Sequence, residues 1–347
     1  MEKTERPYLI AGPCSVESLG QLRQVTEALS EIPQVHLIRA GVWKPRTRPG
    51  GFEGLGEPAL AWMQELSKEY GVHYCCEVAR PEHVELCQQY GIEYVWLGAR
   101  TTTNPFMVEE ICSSLQGCDM HVMVKNPVCP DVRLWLGAIE RIAAAGVADI
   151  AAIHRGFNLY DNDNYRNAPM WEVAMELRRQ LPETPILCDP SHIGGRRDLI
   201  MPLAEVALQL DYDGLMIEVH PSPAEAWTDA AQQITPAELQ SIASTMRERA
   251  GNTDAIQRTD IVLEPLREQI DTIDHEMLRL LSRRMNLSKE IASVKREGQM
   301  AVYQSKRWEA VMQDRMQMAE VLGLDGNFTK DLLEKIHAES IRMQMET

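Results

Sequence analysis

YLIAGPC (residues 8–14) is an apolar run of strand character that stops at Gly-Pro and then presents a cysteine. A short apolar run closed by a turn signal reads as a buried strand. Seven more follow along the chain: HLIRAG (36–41), HYCCEV (73–78), YVWLGA (94–99), HVMVKN (121–126), DIAAIHRG (149–156), PILCDPSH (185–192) and GLMIEVH (214–220). Each is followed by a stretch of helical composition, such as SLGQLRQVTEALSE after the first. Eight β/α units within about 250 residues predict a TIM (β/α)8 barrel over residues 1–250. A doubly wound open sheet is the competing arrangement, but no GxGxxG turn follows the first strand to support it.

Beyond the eighth unit the pattern changes. GNTDAIQRTDI (251–261) is polar and weakly periodic, which predicts a linker. LEPLREQIDTIDHEMLRLLSRRMNLSKEIASVKRE (263–297) has no Gly or Pro after Pro265 and predicts one helix more than about 50 Å long. Leu263, Leu266, Ile270, Ile273, Met277, Leu280, Leu287, Ile291 and Val294 recur at spacings of three and four, with a break at Arg284. Two further helices are predicted, over about 304–322 and 328–345, separated by GLDGN. A unit this small cannot cover the stripe of so long a helix by itself. The all-α domain, 262–347, is therefore expected to dimerise, giving a homodimer or a larger homo-oligomer.

The chain has 347 residues and is 44% apolar, enough for two ordinary cores. It holds no run of about 18 apolar residues, and its start, MEKTERPYLI, lacks the layout of a secretory signal. The expectation is a cytoplasmic protein with no membrane segment. With the first strand beginning at residue 8, no separate N-terminal regulatory domain is expected. Eight cysteines without CxxC spacing argue against a disulfide framework. A net charge of −16 argues against nucleic acid as a partner. Residues 1–261 hold 22 Lys+Arg against 36 Asp+Glu, and residues 262–347 hold 13 against 15. Basic residues that gather in the acidic N-terminal part need a local reason.

In a TIM barrel the functional groups lie at the C-terminal ends of the strands and in the loops after them. The sequence places Cys14, Arg39, Glu77, Arg100, Lys125, His154 with Arg155, His192, and Glu218 with His220 at those positions, and Lys44, Arg46 and Arg48 just after the second strand. Two sets separate by chemistry. Cys14, His192, Glu218 and Asp229 offer sulfur, imidazole nitrogen and carboxylate oxygen, a mixture that suits a divalent metal ion: Mn, Fe, Co or Zn. Lys44, Arg46, Arg100, Lys125 and Arg155 can clamp phosphate and carboxylate groups, and Arg39 and His154 are counted with them as substrate-binding. The substrate is therefore expected to be anionic.

AGPCS, RAGVWKPRT, LGART, VKNP, HRG, DPSHIGGRRD and IEVHP, in this order on successive strands, resemble the 3-deoxy-D-arabino-heptulosonate 7-phosphate (DAHP) synthase family. The resemblance spans residues 8 to about 230. It implies a metal site at Cys14, His192, Glu218 and Asp229, and condensation of phosphoenolpyruvate with erythrose 4-phosphate. It also implies that Arg100, Lys125 and Arg155 offset the charges of phosphoenolpyruvate, that Lys44 donates a proton and that Arg46 faces the sugar phosphate. The sister possibility is a KDO 8-phosphate synthase, whose members carry an Asn-containing loop where this chain has KPRT at 44–47.

In the tail, Arg284 interrupts the apolar stripe, where a guanidinium needs an anion. Lys295, eleven positions on, lies only about 20° round the helix from it, whereas Arg267 is rotated by about 100° and is expected to serve the partner chain's pocket. Ser340 and Gln344 are spaced i, i+4 on the last helix. This pattern resembles the all-helical chorismate mutase family over 262–347. That resemblance implies substrate contacts from Arg267, Arg284, Lys295, Arg307, Ser340 and Gln344, with chorismate and prephenate as ligands. Trp308 stands where the family usually has an acidic residue, and Gln304 replaces a common Asp. A non-catalytic dimerisation or sensing module is the alternative. Fusion of the two units also suggests that chorismate or prephenate bound to the tail inhibits the barrel.

Overall fold

The computed structural model describes residues 7–44, 50–159, 164–250 and 253–346, without the side chains of 247–250, 253–266 and 268. The chain divides into two units, Met1–Asn252 and Thr253–Thr347. Among the described residues no helix is long and apolar enough to cross a membrane.

The first unit is a closed barrel of eight parallel strands in chain order. They are β1 (Tyr8–Gly12), β2 (Val35–Arg39), β3 (Tyr74–Val78), β4 (Tyr94–Leu97), β5 (His121–Lys125), β6 (Ile150–His154), β7 (Ile186–Cys188) and β8 (Gly214–Glu218), and β8 pairs back to β1. Among the described residues, ten α-helices lie between and after them: α1 (Leu19–Ser30), α2 (Glu57–Tyr70), α3 (Pro81–Gln89), α4 (Ala99–Thr102), α5 (Pro105–Leu115), α6 (Val132–Ala144), α7 (Trp171–Gln180), α8 (Pro190–Gly194), α9 (Ile200–Gln209) and α10 (Pro236–Ala250). Their starts are written locally. Ser18 accepts from the Gln21 N–H, Asn104 precedes Pro105, and Asp131 accepts from the Arg133 and Leu134 N–H groups. On α6, Trp135, Leu136, Ile139 and Ile142 form the buried face, each large side chain contributing about 1.5–3 kcal/mol.

Side chains alternate across each strand, and this phase positions the site. Tyr8, Ile10, Leu37, Cys75, Trp96, Met123, Ala151, Ile153, Leu187 and Met216 form the cluster enclosed by the barrel. One further step of two along that inward phase reaches Arg39, Glu77, Lys125, Arg155, Asp189 and Glu218, so the charged residues share one end of the barrel. The opposite phase, including Ile38, Val95, Val124, Ala152 and Cys188, packs in the larger cluster beneath the helices.

The second unit consists of α11 (Thr253–Glu297), α12 (Ser305–Val321) and α13 (Gly326–Glu346), with α13 packed against both of the others. The segment 251–261, expected as a linker, is instead helical from Thr253. No Gly or Pro stands between Asn252 and Pro265 to stop the helix earlier. Arg284, Ser288, Ala292 and Lys295 form the stripe of α11 turned towards α13, with Ser288 and Ala292 buried. From Ile270 onward the apolar stripe lies beside it, facing outward: Ile270 is 57% and Val294 67% exposed in the single chain.

Candidate active sites

At the C-terminal rim of the barrel, atoms of Cys14, Glu218 and Asp229 lie within 4.8 Å of one another. The Cys14 thiol donates to Asp229 Oδ2 at 3.3 Å, and its sulfur accepts a hydrogen bond from Lys44 Nζ at 3.0 Å. His192 Nδ1 is 2.8 Å from Asp189 Oδ2, which turns Nε2 towards Glu218 Oε1, 3.7 Å away. This is the carboxylate–imidazole arrangement that orients metal-ligating histidines. Glu218 also accepts from Arg39 Nη2 at 3.0 Å and from Gln232 Nε2 at 2.6 Å. Burial, with the Glu218 carboxylate beside it, pushes the Cys14 thiol up to about 12. Burial also works to raise the Asp229 carboxyl, but Arg166, at 3.1 Å, outweighs it with His192 and Lys44 and holds the group below the usual carboxylate range. One thiol, one imidazole set against the Asp189 carboxylate and two carboxylates are a donor set that fits a divalent first-row ion.

Two glycines make this approach possible. A Cβ on Gly41 would fall 2.1 Å from the Cys14 carbonyl oxygen, and one on Gly98 would fall 2.1 Å from Glu77 Oε1.

Beside the donor set opens a cavity of about 430 Å³ lined by five cations, Lys44, Arg100, Lys125, Arg155 and Arg166, against the carboxylates of Glu77 and Asp229. In an acidic chain this is the local excess of positive charge that a multiply anionic ligand requires. Behind the cavity lies a buried charge network. Lys125 donates to Asp189 at 2.8 Å, and Arg39 pairs with Glu218 at 3.0 Å and lies 4.0 Å from Asp189. The Arg39 guanidinium and Lys125 ammonium also lie 5.1 and 5.7 Å from the centre of the Trp96 ring. Burial pulls Arg155 down to about 10, and its Nη1 donates to Asn167 Oδ1 at 2.9 Å.

The structure brings together Cys14, Lys44, Arg100, Lys125, Arg155, His192, Glu218 and Asp229 at this rim, with Arg39 beneath them. Arg46 lies outside the described residues. His154 is a correction. It belongs to the outward phase of β6, packs against Trp135, Phe157, Trp171 and Tyr212, and its Nδ1 is 2.8 Å from the Tyr212 hydroxyl. Its neighbour Arg155 takes the inward place. Sequence reasoning did not assign Asp189, although it stands two residues beyond the inward Leu187 in DPSH. It also passed over Arg166 and Asn167, which lie in a loop with no strand phase to mark them.

In the helical unit, Arg284 Nη1 donates to Ser340 Oγ and lies 3.5 Å from the Ile336 carbonyl. Lys295 Nζ donates to Gln344 Oε1 at 3.4 Å and to the Val302 carbonyl at 2.6 Å. Four predicted residues thus converge between α11 and α13. Arg267 and Arg307 are exposed, and Arg267 lies seventeen residues, roughly 25 Å of helix, before Arg284. Trp308 stacks on His337 with ring centres 3.7 Å apart and planes 9° from parallel.

Comparison with known proteins gives both units counterparts. Residues 2–255 match the DAHP synthetase I family, and residues 266–345 match chorismate mutase type II. A Thermotoga maritima phospho-2-dehydro-3-deoxyheptonate aldolase is 32% identical over 226 residues, which are 65% of this chain and 64% of that protein. A Stenotrophomonas maltophilia 2-dehydro-3-deoxyphosphooctonate aldolase is 23% identical over 263 residues, covering 70% of this chain and 90% of that protein. The crystal structure of the Thermotoga maritima DAHP synthase covers 72% of this chain and 69% of its own, with a TM-score of 0.63 and 30% identity. The barrel, the order of its rim residues and the match over residues 2–255 place this chain in the DAHP synthetase I family, with a chorismate mutase type II region following the barrel.

Proposed function

We propose that the barrel condenses phosphoenolpyruvate with erythrose 4-phosphate to DAHP and inorganic phosphate, and that the helical unit converts chorismate to prephenate. The observation that carries the first activity is the cavity of five cations opening beside the Cys14, His192, Glu218 and Asp229 donor set. Arg100, Lys125, Arg155 and Arg166 bind the phosphate and carboxylate of phosphoenolpyruvate and hold its C3 towards the donor set. Cys14, His192, Glu218 and Asp229 would hold a divalent ion, which would supply Lewis-acid polarisation of the aldehyde. C3 attacks that carbon, water adds at C2, and phosphate leaves. Burial works to lower the half-buried Lys44 ammonium, but Cys14 and Glu218 outweigh it and keep the group protonated, so it is placed to deliver the proton to the new hydroxyl. Arg46, which lies outside the described residues, is assigned to the sugar phosphate by the family resemblance alone. The 32% identity to a heptonate aldolase, against 23% to octonate aldolases, favours erythrose 4-phosphate over the KDO 8-phosphate alternative. Cys14→Ser and His192→Ala test the ligand set: each is expected to lose both bound metal and turnover, and retention of both overturns it.

For the helical unit, the rearrangement needs no nucleophile. Arg284, with Arg307 and the partner's copy of the Arg267 position, offsets the two carboxylates, while Lys295 and Gln344 address the breaking ether oxygen. The outward apolar stripe of α11 is the surface for a second copy of the chain. The competing reading, a ligand sensor without turnover, is favoured by Trp308, which stands where the family usually has an acidic residue. Prephenate formation from chorismate by the purified chain decides between them. In the same frame, prephenate bound to the tail inhibits the barrel; inhibition that survives deletion of residues 255–347 removes that link.

A further inference from the structure

His337 stands on α13 three residues before Ser340 and seven before Gln344, the spacing that puts all three on one helix face. Ser340 and Gln344 meet Arg284 and Lys295 on α11, so the imidazole belongs to the same cluster. Trp308 of α12 lies flat over its ring at 3.7 Å, and Tyr303 approaches with ring centres 6.1 Å apart. Its Nε2 is shielded from solvent and has no hydrogen-bond partner among the described residues. A polar atom closed off in this way needs an explanation, and a ligand atom is one. Burial, followed by the Arg284 and Lys295 charges, holds the imidazole below its ordinary value, so it is neutral near pH 7. A carboxylate in its place would pair with Arg284 or Lys295 and compete with the ligand's own carboxylates. A neutral ring does not. Neutral imidazole offers one donor and one acceptor nitrogen, and a hydroxyl is complementary to either.

We propose that His337, held flat by Trp308, makes the hydrogen bond to the ring hydroxyl of chorismate. The inference rests on the mutase reading of the helical unit and names a further contact within it. Full-length wild type, His337→Ala and His337→Gln are compared with chorismate and with an analogue whose ring hydroxyl is replaced by hydrogen. With chorismate, His337→Ala is expected to lower kcat/KM by about tenfold or more, and His337→Gln to recover most of the loss through its amide. With the analogue, the His337→Ala penalty is expected to vanish. An equal penalty for both substrates, or none with chorismate, overturns the inference while leaving the mutase reading intact. If wild type binds chorismate without converting it, the same comparison is made by calorimetry with the same expectations. Wild type that neither converts nor binds chorismate refutes the mutase reading, and the inference with it.

Discussion

Asp189 is the residue on which most of the barrel site depends. It is fully buried, caps α8 by accepting from the His192 N–H at 3.1 Å, and contacts Lys125, Arg39 and the His192 ring. Asp189→Ala leaves two buried cations short of a partner, and we expect about 3–5 kcal/mol of lost stability in chemical denaturation. Metal affinity, read by titration with Co²⁺, is expected to fall about 10- to 100-fold as His192 loses its orientation; an unchanged affinity contradicts the role. His154 carries a different prediction. Burial pulls it down to about 4 in the fold, while an unfolded histidine titrates near 6.5. Between those values the unfolded chain binds the extra proton, so stability falls as pH drops from about 6.5 to about 4, by up to ~3 kcal/mol. Urea midpoints at pH 7 and 4.5 should show this loss in wild type and a smaller one in His154→Gln, which cannot take up the proton. Parity explains why Arg155 was legible and its neighbour His154 misleading. HRG offers His154 and Arg155 side by side with equal polarity, and only the phase set by Ile153 shows that Arg155 faces the cavity.

At the scale of elements, two loops carry the outer metal-ligand candidates, and their mutual hold fixes the site. Ser15 and Thr228 share a hydroxyl hydrogen bond of 2.6 Å, the Cys14 N–H donates to Gln233 Oε1 at 3.0 Å, and the Trp227 N–H donates to Glu17 Oε1 at 2.7 Å. Glu17 Oε2 also lies 3.5 Å from His220 Nε2. These contacts span more than 200 residues of sequence, so no local pattern announces them. Glu17→Ala releases the tie between the β1–α1 loop and the loop bearing Asp229. We expect Co²⁺ affinity to drop roughly tenfold or more, with Glu17→Gln milder because it keeps the acceptor for Trp227. The strands and their order were readable because each apolar run is bounded by polar or turn residues. The start of α11 was not, since polar composition alone does not separate a linker from an exposed helix.

For the whole molecule, the two units pose separate problems of burial. The barrel encloses its own apolar surface, whereas the helical unit leaves Ile273, Leu280, Ile291 and Val294 about half exposed or more along one side of α11. Sedimentation is expected to give at least a dimer, and Ile291→Lys to shift it towards monomer with loss of prephenate formation, because the proposed mutase site takes its Arg267 from a second chain. A wild-type monomer with full mutase activity contradicts this. The central claim is that one chain joins a metal-dependent condensation in its barrel to a metal-independent rearrangement in its helices. The most direct test is to assay the purified full-length chain for DAHP formation and prephenate formation before and after chelation. The account predicts that chelator abolishes DAHP formation, that Mn²⁺ or Co²⁺ restores it, and that prephenate formation is unaffected throughout. DAHP formation that survives complete removal of metal, or that is absent from folded, metal-loaded protein, contradicts it.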